Sequence, residues 1–139
     1  MNRQGRFIID GEAVLLGDDG ISDFEGLHSG KHDAQVQLYA FDILAMGGND
    51  LRELPLSMRK RYLGRLVATE GVPHSEGIFP APFERGELGP DLFRKVCEFG
   101  LEGLVSKHVE RAYSGGRCNH WIKVENPAHP AYRRVQDQF

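Results

Sequence analysis

The sequence predicts an α+β fold with mainly antiparallel pairing. Three observations lead there. Two stretches rich in β-forming residues come first, each closed by a glycine- and aspartate-bearing turn; two segments with apolar residues at helical spacing follow; two more strand-like stretches come last. Strand, strand, helix, helix, strand, strand lacks the strict strand–helix alternation of a parallel sheet.

Arg6 to Leu16 alternates well enough for a strand, broken at Asp10-Gly11 and resuming through Ala13-Val14-Leu15-Leu16. Gly17-Asp18-Asp19-Gly20 is a turn by composition, and residues 22–35 are polar and irregular, a loop or short helix. Val36 to Leu44 is the second strand, carried by Val36, Leu38, Tyr39, Phe41 and Ile43, after which Met46-Gly47-Gly48-Asn49-Asp50 turns the chain back. Pro55 opens a helix running to about Ala68, because a missing N–H costs little in a first turn. Leu56, Arg59, Tyr62, Leu63, Leu66 and Val67 supply its repeat. Residues 70–90, with Pro73, Pro80, Pro82 and Pro90, are expected to be irregular apart from a short strand at Ile78-Phe79. A second helix spans Pro90 to Phe99, with Gly100 placed as its left-handed cap. Leu101 to Val109 and His120 to Glu125 are the last strands, and Asn126-Pro127 ends the regular structure.

Composition bounds the function classes. With 139 residues, 40% hydrophobic and 27% charged, the chain suits one globular domain. No apolar run approaches the roughly 20 residues of a membrane span, and Phe7-Ile8-Ile9 is cut off by Asp10. The expectation is therefore a cytoplasmic protein with no membrane partner. Cys97 and Cys118 give neither a disulfide framework nor zinc spacing, so two reduced thiols are expected, Cys97 in a helix core. His28 and His32 sit four apart but lack a helical setting and a third ligand. Residues 1–55 hold ten acids against four bases, whereas 101–139 hold six bases against four acids. That asymmetry is compatible with a metal site near a phosphate-facing surface, yet falls far short of a nucleic-acid-binding charge excess.

Four constellations carry chemistry-bearing side chains. Asp10-Gly11-Glu12 sets carboxylates beside a glycine that permits close approach, or is a bulge with solvated acids. In Tyr39-Ala40-Phe41-Asp42-Ile43-Leu44, alternation puts Tyr39, Phe41 and Ile43 on one face and Ala40, Asp42 and Leu44 on the other. Phe41 is then either core or a platform for a base. Glu102 and Lys107 in Glu102-Gly103-Leu104-Val105-Ser106-Lys107 are five apart and face opposite sides of a regular strand, unless a bulge or twist near Gly103 turns both toward one pocket. After Tyr113-Ser114-Gly115-Gly116-Arg117, the residues Trp121, Lys123 and Glu125 share a face, as a surface ion pair or as a phosphate site.

Taken together and in this order, with Leu54-Pro55-Leu56 and its basic helix between the second and third, these motifs closely resemble the ATP-dependent DNA ligases, most of all the bacterial end-joining and repair type. The resemblance covers Phe7 to about Pro130. It implies a nucleotidyltransferase (ATP-grasp-like) adenylation domain with antiparallel sheets flanked by helices, of which residues 1–126 are the C-terminal part and 127–139 a linker-like tail toward an oligonucleotide-binding barrel. It further implies that Phe41 stacks on adenine, that Glu12 contacts ribose or metal, and that Glu102 binds the divalent metal. Lys107 would lie near the nucleotide phosphates and Lys123 would hold the α-phosphate. ATP and Mg²⁺ are the implied cofactors, and nicked or broken double-stranded DNA is the implied substrate of a complete enzyme.

Two departures qualify what the resemblance implies. Family members carry an upstream Lys-x-Asp-Gly whose lysine accepts AMP; the five lysines here (Lys31, Lys60, Lys95, Lys107 and Lys123) include none in that motif, so no catalytic nucleophile is assigned. Where the family has Lys-x-Lys, this chain reads Lys123-Val124-Glu125, a charge reversal beside the expected phosphates. The expectation is a domain inactive alone, with a complementing ligase fragment or a second copy of the chain as candidate partners.

Overall fold

The computed structural model describes residues 5–68, 77–86, 89–130 and 132. Strand β1 (Phe7–Val14) pairs antiparallel with β2 (Gln37–Met46), and β2 turns at Gly47-Gly48, both at positive φ, into the two-residue β3 (Asn49–Asp50). Between β1 and β2 lies α1 (Phe24–Ser29). Asp23 accepts from the Gly26 N–H at 2.8 Å to start it and Gly30, at φ 67°, stops it. After α2 (Leu56–Ala68) the chain returns as β4 (Ile78–Pro80), which pairs parallel with Leu38–Ala40 of β2. That pairing is the exception to antiparallel order. Helix α3 (Gly89–Glu98) ends at Gly100 (φ 67°), as expected, and leads to a separate antiparallel ribbon of β5 (Gly103–Lys107) and β6 (Trp121–Glu125). β1 runs unbroken through Asp10-Gly11. The expected irregular stretch at 70–76, and the tail except for 127–130 and 132, lie outside the described residues. Among the described residues no helix is long and apolar enough to cross a membrane.

The core forms where α2 lies on the sheet. Ala40, Ile43, Leu51, Leu63 and Val67 are buried together, with Ile9, Met46, Leu54, Tyr62, Leu66 and Ile78 packed around them. Ala40, Ile43 and Met46 are three apart, which simple alternation forbids. The register explains it: Ile8 pairs with Ala45 and Ile9 with Ile43, then Asp10 with Asp42 and Gly11 with Ala40, so Leu44 and Phe41 are extra residues in β2. Each bulge resets the inward phase by one residue. Tyr39, Phe41 and Ile43 therefore do not share a face, and Phe41 is left out of the core.

Arg59 belongs to the inward stripe of α2 and is wholly buried. Its Nε and Nη2 donate to the two oxygens of Asp42 at 2.8 and 3.0 Å, while Nη1 donates to the carbonyls of Leu54 (2.6 Å) and Arg111 (3.0 Å). Such a charge pair survives burial only because its hydrogen-bonding groups are matched. The same downstream segment supplies carbonyls to the first turn of the helix: Leu56 N–H donates to Arg111 and Ser57 N–H to Val109. Cys97 in α3 is half-buried rather than core, Val96 being the buried residue of that helix.

Candidate functional site

Gly11 brings β1 and β2 close. A Cβ there would lie 2.7 Å from the Tyr39 carbonyl oxygen, so the bulge at Phe41 sits where the strands press together. Turned out of the core, the Phe41 ring meets the ribbon. Lys107 and Trp121 are register partners, and the Lys107 ammonium lies 4.4 Å from the Phe41 centroid and 4.2 Å from that of Trp121. Tyr113 packs edge-on against Trp121 (centroids 5.5 Å apart) and its hydroxyl donates to Asp10 Oδ2 at 3.2 Å. Burial pushes the Lys107 ammonium below its ordinary value, against the opposing pull of Asp42 and Asp10. The Tyr113 hydroxyl is pushed up, first by burial and then by Asp10.

A second group adjoins the first along the same strands. Lys123, two residues from Trp121 on the same face of β6, donates to Glu102 Oε1 at 3.2 Å and lies 3.1 Å from Glu125 Oε1. Burial works against its charge, but the bonds to Glu125 and Glu102 outweigh it and hold Lys123 above its ordinary value. Glu12, two residues from Asp10, faces this group. Its carboxyl is pushed up first by desolvation and then by the negative charge of Glu102, with Lys123 opposing, although part of the residue remains in contact with solvent.

The structure thus gathers Glu12, Phe41, Glu102, Lys107 and Lys123 on one surface between β1–β2 and the ribbon. The way Glu102 joins differs from the expectation. β5 and β6 pair without a bulge; Glu102 lies just before β5, and Gly103, whose Cβ would strike the Val124 carbonyl, lets the two strands lie close beside it. Sequence patterns marked Asp10 and Tyr113 in separate constellations but did not join them, since their contact links residues far apart in the chain. Arg59, one of the cations of the basic helix, is buried and adds nothing to its exposed charge.

Glu12 and Glu102 are the carboxylates that could act as donors to a divalent cation here. Among the described residues no cluster of three or more metal-ligating side chains exists. Two mutually repelling carboxylates nevertheless suit a hard cation such as Mg²⁺, which commonly keeps one or two protein carboxylates and takes its other ligands from water and phosphate.

The fold is that of a nucleotidyltransferase. The family described as "ATP dependent DNA ligase domain" matches residues 1–125, and the chain belongs to it. It is 34% identical over 120 residues to the multifunctional non-homologous end joining protein LigD of Pseudomonas aeruginosa, covering 84% of this chain and 14% of the relative. A probable DNA ligase of Streptomyces coelicolor is 35% identical over 136 residues, covering 89% of this chain and 26% of the relative. The crystal structure of the ligase domain from M. tuberculosis LigD superposes with a TM-score of 0.70 at 26% identity, over 87% of this chain and 38% of that one; a mycobacterial DNA ligase D complexed with ATP and MES gives the same values. The chain therefore spans only a fraction of the length of these relatives.

Proposed function

We propose that this surface binds ATP as part of the adenylation domain of a bacterial end-joining DNA ligase, acting in the cytoplasm on nicked or broken duplex DNA. The observation that carries the reading is the adjacency of an aromatic–lysine stack (Phe41, Lys107, Trp121) to a carboxylate–lysine group (Glu12, Glu102, Lys123). Phe41 offers its ring to adenine; a purine on the face now covered by Lys107 displaces that ammonium toward the phosphates. Lys123 contributes charge at the α-phosphate, where it must exchange Glu102 and Glu125 for phosphate oxygens. Mg²⁺ held by Glu12 and Glu102 would supply further neutralisation of those oxygens. Adenylyl transfer forms a bond from a lysine nitrogen to the α-phosphorus and breaks the bond to the bridging oxygen, releasing pyrophosphate. No lysine of this chain sits in Lys-x-Asp-Gly, so the chain's own part is to bind and orient the nucleotide.

Calorimetry with ATP and Mg²⁺ tests this. Binding should weaken about tenfold in Phe41→Ala, in line with the roughly 1–3 kcal/mol of a base–aromatic stack. Unchanged affinity in that variant sinks the assignment. Intact-mass analysis after incubation with ATP should find no covalent AMP unless a polypeptide carrying Lys-x-Asp-Gly is added. Ile122 and Val124, exposed on the other face of the ribbon, are the apolar surface that such a fragment or a second copy would cover.

A further inference from the structure

Lys60 stands apart from the other cations of this region. Arg59 is held by Asp42 and two carbonyls, and Lys123 by Glu102 and Glu125. Lys60 and Lys107 are half-buried, and among the described residues neither forms an ion pair. Each ammonium lies over aromatic rings instead, Lys60 at 4.5 Å from the Phe83 centroid and Lys107 between Phe41 and Trp121. The buried acid that acts on both, Asp42, has each oxygen engaged by Arg59 and one also by the Ile43 N–H. Rings orient an ammonium and leave its N–H donors unmatched, since a π-face offers no lone pair. Each ammonium therefore keeps N–H donors free for an oxyanion, and the charge of Lys107 bears on Lys60.

We infer that Lys60 and Lys107 together hold a phosphate oxyanion, which makes Lys60 a phosphate-contacting residue of this domain. The class of ligand is a phosphate ester or polyphosphate, and it has two sources under the function proposed above: the triphosphate of the nucleotide or a backbone phosphate of DNA. Lys60 stands on α2 with its ammonium over the ring of Phe83, which follows β4 in the chain, so it reaches the region from a different element than Glu102 and Lys123. Its own charge supports the assignment. Desolvation, then repulsion by Lys107 and by Arg59, with Asp42 opposing, lowers it to about 8. A bound anion favours the protonated amine, so affinity should fall as pH rises through that value.

The experiment uses the whole chain, its single tryptophan, Trp121, reporting on the Lys107 position by fluorescence. Inorganic tripolyphosphate, ATP and nicked duplex DNA are titrated against the wild type, Lys60→Met and Lys60→Arg. Lys60→Met should lose about tenfold in affinity, the scale of one charge-assisted hydrogen bond, while Lys60→Arg retains binding and loses the decline near pH 8. A loss for tripolyphosphate and ATP alone assigns the site to the nucleotide; a loss for DNA alone assigns it to the backbone. Unchanged affinity of Lys60→Met for all three, absence of any binding by the wild type, or equal loss in Lys60→Arg overturns the inference. Tripolyphosphate, which carries no base, separates the inference from the adenine assignment: a loss of tripolyphosphate binding in Lys60→Met supports the phosphate site whatever Phe41→Ala does to ATP, and unchanged tripolyphosphate binding overturns it even if Phe41→Ala weakens ATP.

Discussion

Asp42→Ala should be among the most damaging single substitutions in this chain. Asp42 and Arg59 are both fully buried, and the carboxylate takes two of the four hydrogen bonds that Arg59 makes. Removing it leaves two guanidinium N–H groups unmatched in the interior, each at about 1–3 kcal/mol, or roughly 2–6 kcal/mol together. That range brackets the roughly 3–5 kcal/mol typical of breaking a buried ion pair from one side. Because small domains are stable by only about 5–15 kcal/mol, the loss is a large fraction of the total. Urea unfolding followed by circular dichroism gives the number, and Arg59→Met with the double variant Asp42→Ala/Arg59→Met completes a thermodynamic cycle. The double variant should be more stable than Asp42→Ala, because it removes the stranded charge together with its partner. A cost below about 1 kcal/mol for Asp42→Ala, or strict additivity across the cycle, would refute the claim that this pair is dry and mutually dependent.

Three smaller perturbations probe the site itself. Glu12 has a folded value above its ordinary 4.5, so the native state holds the extra proton between the two and stability falls as pH rises through that window; Glu12→Gln should flatten this slope, and thermal melts from pH 4 to 7 measure it. Glu125→Lys restores the charge usual in the family and frees Lys123 from one of its carboxylates, so ATP should bind about three- to tenfold more tightly by calorimetry. Gly103→Ala drives a methyl into the Val124 carbonyl and should cost about 1–3 kcal/mol, read as a lower midpoint in urea and lost amide protection in β6.

What the sequence conveyed and what it withheld divide along physical lines. β2 announced itself through Tyr39, Phe41 and Ile43, the glycine pair at 47–48 marked its turn, and Pro55 and Gly100 bracketed helix ends correctly. These are local signals. The extra residues at Phe41 and Leu44 were invisible because a bulge leaves no mark in a period-two pattern, and they decide which side chains face the ribbon. The parallel pairing of β4 depends on how the chain returns after α2 and has no signature in Ile78-Phe79. Within the site, Glu12, Phe41, Glu102, Lys107 and Lys123 came from motif order. Asp10 meets Tyr113 across 103 residues, and that partnership no spacing rule could supply.

The opening turn of α2 carries a consequence for how the chain acquires its shape. An isolated helix beginning at Leu56 would leave its leading amides to water, because Pro55 sets an angle but offers no acceptor side chain. Here the acceptors are peptide oxygens of Val109 and Arg111, and Arg111 also binds a side chain 52 positions earlier. The helix is therefore finished by a piece of polypeptide that leaves the ribosome much later, and until it arrives the amide of Leu56 and the guanidinium of Arg59 both wait for the same strip of backbone.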